Sequence, residues 1–68
     1  MTRVKAGEVY RNVGGMVFRV ITVAVDKEKK FVVFRRVDDP DEVIMSPIGR
    51  FVETYELIMR ADGKRVAG

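Results

Sequence analysis

The sequence predicts an all-β fold: a small barrel of about five antiparallel strands with one short helical turn near Pro47. Three observations carry this. Met16 to Val25 and Phe31 to Val37 are built largely from Val, Ile, Thr and Phe, whose branched or ring side chains suit a pleated surface better than a helix. The charged stretch Asp26-Lys27-Glu28-Lys29-Lys30 between them reads as a solvated loop, so the second run folds back as an antiparallel partner. Both alternating faces of these runs are apolar, with Phe18 and Val20 on one side of the first and Ile21 and Val23 on the other. Strands of that kind are covered on both sides or bent around a closed core, and a flat sheet with one wet side fits poorly.

The remaining elements follow from local signals. Gly7 to Asn12 is a short entering strand, closed by the turn at Gly14-Gly15. Asp38-Asp39-Pro40-Asp41 is a turn, because proline fixes φ and the flanking carboxylates bond the local backbone. Glu42 to Met45 is then a short strand. Beyond Ser46 two readings match equally well. Ser46 as a cap with Pro47 at the first position, followed by Phe51, Tyr55, Ile58 and Met59, suits a helix, which Gly49 weakens. The alternation Phe51, Tyr55, Leu57, Met59 suits a strand. The preferred reading is a single helical turn from Pro47 to Arg50 and then a strand, with strand or helix left open for Phe51 to Met59. Asp62-Gly63 is the strongest hairpin signal, and the residues after it are expected to pair weakly or fray.

With 68 residues the chain makes one domain, its core expected at about 7–64 with flexible ends. It has no Cys and no His, so neither a disulfide nor a zinc site of the usual ligands is expected to staple it. Packing must therefore supply the stability, and a hydrophobic content of 47% is enough for a compact core. The phenylalanines, Phe34 among them, are expected in that core. Association would add burial, so a homodimer stands beside the monomer as an equal alternative. The longest apolar stretch is about half a membrane span and no signal-like run is seen, so a cytoplasmic protein without membrane contact is expected.

The same absences bear on chemistry. No His is present to activate the few hydroxyls, and Asp38, Asp39, Asp41 and Glu42 read as a solvated turn in which Val43 stands where a calcium loop needs a ligand. No enzyme, no cofactor and no metal is expected. The surface is mildly basic, at +3, which permits nucleic-acid contact without demanding it. Candidate binding residues are Tyr10, Arg11, Arg35, Arg36, Lys27, Lys29 and Lys30. Arg11 and Arg35 each follow an aromatic residue, so the ring faces the core while the guanidinium faces out; a cross-sheet salt bridge is the competing role for each. The tyrosines, with one polar end, are candidates for an edge or interface.

The pieces Gly7-Glu8-Val9-Tyr10-Arg11, Gly15 to Val20, Val33-Phe34-Arg35, and Pro47 with Phe51, Glu53 and Asp62-Gly63-Lys64 occur in an order that resembles the bacterial and phage family called domain of unknown function 1653. The resemblance spans about residues 7 to 64 and implies an SH3-like fold without implying a function. This chain departs from the family pattern at Met45-Ser46, where the family carries an aromatic and an Arg before the proline, and at Arg50, where it carries Met. Any anion site built on that Arg is therefore lost or altered here. The functional expectation is a non-enzymatic adaptor that binds a protein partner. The alternative is weak, non-specific nucleic-acid binding through Arg11, Arg35, Arg36 and the lysines from 27 to 30.

Overall fold

The computed structural model describes residues 4–66. The expected fraying of residues 1–3 and 67–68, and the basic Arg3, lie outside the described residues. Along the chain come β1 (Val9–Arg11), β2 (Val17–Asp26), β3 (Lys29–Arg36), β4 (Val43–Pro47), α1 (Ile48–Thr54) and β5 (Glu56–Met59). The five strands form one antiparallel sheet in the order β4-β3-β2-β1-β5. This is the small, all-β, barrel-like architecture expected, except that the sheet does not close: β4 and β5 remain its two edges.

The β2–β3 hairpin departs from expectation in two ways. The loop shrinks to Lys27 and Glu28, because Asp26 already pairs with Lys29 and Val25 with Lys30; Lys27 takes the left-handed conformation that so tight a reversal needs, at φ 59°. The second departure is a β-bulge. Val23 lies opposite Val32, Thr22 opposite Val33 and Val20 opposite Phe34, so Ile21 is one residue too many on β2. Ile21 and Val23, expected on one face, are thereby separated. Val23 packs against the core with Phe18 and Val20 on its side, while Ile21 is 41% exposed. One face of β2, not two, is buried.

Helix α1 runs to Thr54, past the single turn expected to end at Arg50. Its apolar residues explain why: Ile48, Phe51 and Val52, with Tyr55 just past its end, recur at helical spacing and all pack on the core. Ser46 does not cap it, since that residue belongs to β4 and the helix start has no side-chain cap. Pro47 ends the strand in extended geometry, at φ −56° and ψ 139°, and lets the helix begin. After Thr54 the backbone extends at Tyr55 and enters β5.

Between the sheet and α1 sits a cluster of five rings. Phe51 touches Tyr10 edge-on at 4.7 Å between ring centres and stacks on Tyr55 at 4.6 Å. Phe34 meets Phe18, Phe51 and Tyr55. Val20 and Val32 fill the spaces between, and Val4 joins from the N-terminal side, so the core begins earlier than residue 7. Gly7, at φ 92°, donates its N–H to the Val20 carbonyl at 2.8 Å while Val20 returns one to Glu8; a side chain there would sit 3.5 Å from the Ala61 Cβ in a conformation unsuited to one. A turn forms at Asp62-Gly63, where a two-residue hairpin signal stands in the sequence, but it holds three residues, Ala61 to Gly63, between Arg60 and Lys64, with Gly63 at φ 89°. The chain after it pairs over only a short stretch, through the Arg60 N–H to the Lys64 carbonyl at 2.8 Å, a bridge from Met59 to Arg65 and the Val66 N–H to the Ile58 carbonyl at 3.2 Å.

Phe34 is fully buried at the centre of the ring cluster. Phe34→Ala is expected to cost about 3–5 kcal/mol, close to the whole stability of so small a domain. Denaturant unfolding of the variant checks this, and a loss below about 1 kcal/mol would contradict a packed ring at this position.

Candidate functional site

The antiparallel register decides which side chains share a face, because directly opposed residues point the same way. On the face of the sheet turned away from α1, β2, β3 and β4 set out three rows. Ala24, Phe31 and Pro47 form one, Thr22, Val33 and Met45 the next, and Arg19, Arg35 and Val43 the third. Phe31 and Val33 are half-buried, whereas Met45 is 63% and Val43 57% exposed. Ile21, pushed outward by the bulge, adds to the apolar surface. A shallow depression of about 380 Å³ lined by Lys29, Lys30, Phe31, Pro47, Ile48 and Gly49 borders the Phe31 row.

The basic row is unusual. Arg19 and Arg35 are directly opposed on neighbouring strands, and both are exposed. Among the described residues neither has an acidic partner within ion-pair distance. Like charges in that position repel. Two planar guanidinium groups side by side can instead grip one carboxylate or phosphate through several parallel N–H bonds.

The other sequence candidates are not gathered here. Tyr10 and Phe34 point into the core and Arg11 and Arg35 outward, as the alternation predicts. Tyr10 is thus no interface residue: it is buried, and its hydroxyl donates to Glu8 Oε1 at 3.2 Å. That oxygen also accepts the Lys5 backbone N–H at 2.7 Å, which ties the N-terminal segment to β1. Arg11 takes the competing role, an ion pair at 3.4 Å with Glu56 directly opposite on β5. Arg36 lies on the side of Phe18 and is held by Asp38 at 3.1 Å and Glu42 at 3.4 Å. The carboxylates of the Asp38 turn, read from sequence as merely solvated, therefore neutralise a cation. Lys27 sits in the hairpin turn, and Lys29 and Lys30 alternate to opposite sides. Of the seven candidates, only Arg35 stands within the three rows, with Lys29 beyond their Phe31 end.

Sequence reasoning missed Arg19, Met45 and Val43. Arg19 was legible only as an interruption of an apolar run, and its meaning depends on the register that sets it against Arg35.

Comparison of the chain with protein families, with curated proteins and with solved structures finds no match in any of the three. Among the described residues no helix is long and apolar enough to cross a membrane.

The tyrosines give a measurable electrostatic signature. Burial first, then the Glu8 charge and its hydrogen bond, push the Tyr10 phenol above its ordinary range; burial also raises Tyr55. A raised folded-state value favours the protonated phenol, so this contribution to stability is fully present below about pH 10, where an unfolded tyrosine ionises, and is lost as pH rises through the folded-state value. Denaturant melts at increasing alkaline pH should therefore show stability falling above about pH 10, and falling less in Tyr10→Phe. An identical decline in the two proteins would mean that Tyr10 ionises freely in the fold.

Proposed function

We propose that this domain is a non-enzymatic binding module that docks a protein partner on the outer face of β2, β3 and β4. The observation that carries the reading is the adjacent rows Val33–Met45 and Ala24–Phe31–Pro47, a mostly apolar stretch of sheet interrupted by Thr22, on a chain short of burial. Scattered exposed apolar residues need no explanation, but a continuous patch bordered by charge is characteristic of recognition surfaces. The sequence supports a role without catalysis, since it has neither a histidine nor a cysteine to serve as base or nucleophile. The resemblance to the domain of unknown function 1653 family supports a bacterial or phage origin and adds no ligand.

Nucleic-acid binding has less support as the main activity. Among the described residues Arg11 and Arg36 are already matched by carboxylates, so these two do not extend a phosphate track from Arg19 and Arg35. Any affinity for oligonucleotides should be weak and collapse between low and physiological salt.

Affinity capture from extract of the native cell with and without nuclease treatment, with wild type and Met45→Glu side by side, tests the proposal. Met45 is exposed, so the substitution should leave the fold intact, which a denaturant melt verifies. The expected result is a protein captured by wild type, unaffected by nuclease and lost from the variant. Capture that disappears with nuclease, or that ignores Met45→Glu, contradicts it.

A further inference from the structure

We propose that the partner segment is acidic and apolar together: a carboxylate gripped by Arg19 and Arg35, with apolar side chains laid over the Val33–Met45 and Phe31–Pro47 rows. This rests on the protein-binding reading above and specifies its chemistry. The face is graded along the strands: among the described residues two cations without an acidic partner stand at one end, aliphatic and aromatic surface leads away from them, and Lys29 lies opposite Asp26 beyond the far end. Like charges directly opposed across strands disfavour each other, so an anion placed between Arg19 and Arg35 offsets a cost that the register imposes on the free protein. A carboxylate suits the surroundings better than a phosphate chain. Val33, Met45 and Val43 beside the arginines are aliphatic and offer no stacking platform for bases. A symmetric pairing of two copies through this face also fits poorly. On this face the acids are Asp26, at the far hairpin end opposite Lys29, and Glu56, already paired with Arg11.

The geometry sets a spacing. From Phe31 to Arg35 along β3 is about 13 Å, at roughly 3.3 Å per residue. The ligand's carboxylate should therefore lie about four residues from its apolar anchor in an extended segment, or about nine in a helical one.

A display library of random linear peptides, selected on the whole domain, tests this directly. Selected peptides are then titrated in solution by fluorescence anisotropy against wild type, Arg19→Glu, Arg35→Glu and Met45→Glu; all three substitutions lie at exposed positions. The expected peptides carry Asp or Glu at one of these spacings from an apolar anchor. Their affinity should fall about tenfold or more with either arginine substitution, fall likewise with Met45→Glu, and return on Arg35→Glu when the peptide's acid is changed to Lys. Peptides that need Met45 yet lack an acid, or ignore both arginines, would overturn this inference and leave the protein-binding reading standing. No binding peptide, or binding indifferent to Met45→Glu, would overturn both. A single-stranded oligonucleotide that binds through the arginines and is not displaced by acidic peptides would make the anion a phosphate and sink the proposal. So would sedimentation showing a wild-type dimer that Met45→Glu dissociates.

Discussion

Strand β2 carries one residue more than β3 can match, and where that residue is placed governs both sides of the sheet. A regular ladder continued from the Asp26–Lys29 end would set Phe34 against Ile21 and Arg35 against Val20. Phe18 and Val20 would then lie on the face opposite Val23, Val32 and Phe34, leaving each face half apolar and neither able to form a core. The bulge at Ile21 absorbs the surplus, so that Val20 meets Phe34 and Val23 meets Val32 on one side. The five-ring cluster and α1 are organised on the surface this creates.

The same shift builds the candidate site. Without it Arg19 would stand opposite Arg36, which Asp38 and Glu42 already hold. With it Arg19 faces Arg35 on the outer side, and neither has an acidic partner among the described residues. Core and binding face are thus two consequences of one irregularity. Its effect is local in sequence but reverses the facing of everything on one side of it, because the side-chain period in a strand is two.

Much of the fold was legible in the chain. The β-branched runs, the Asp62-Gly63 turn and the outward facing of Arg11 and Arg35 follow from residue type and alternation alone. The bulge was not legible, because apolar residues on both faces have two physical causes, a covered strand or a change of register, and only pairing distinguishes them. Helix α1 was obscured for a related reason. Its core-facing residues Ile48, Phe51 and Val52, and Tyr55 that follows it, do have helical spacing, but Gly49 and the alternation running into β5 offered a strand of equal quality. Of the site, Arg35 could be named from sequence while Arg19 could not, since its importance lies in what it faces. The matched cations Arg11 and Arg36 were indistinguishable from the unmatched one for the same reason.

The separation of Ile21 from Val23 by the bulge is tested by placing a carboxylate at each position in turn. Regular alternation puts the two residues on one face and gives Ile21→Asp and Val23→Asp comparable costs. The bulged register leaves Ile21 exposed and packs Val23 on the core. Denaturant unfolding should therefore show Ile21→Asp within about 1 kcal/mol of wild type and Val23→Asp destabilised by about 2 kcal/mol or more, because a charge enters an apolar site without a partner. Equal costs, or a greater loss at Ile21, would contradict the register on which both the core and the arginine pair depend.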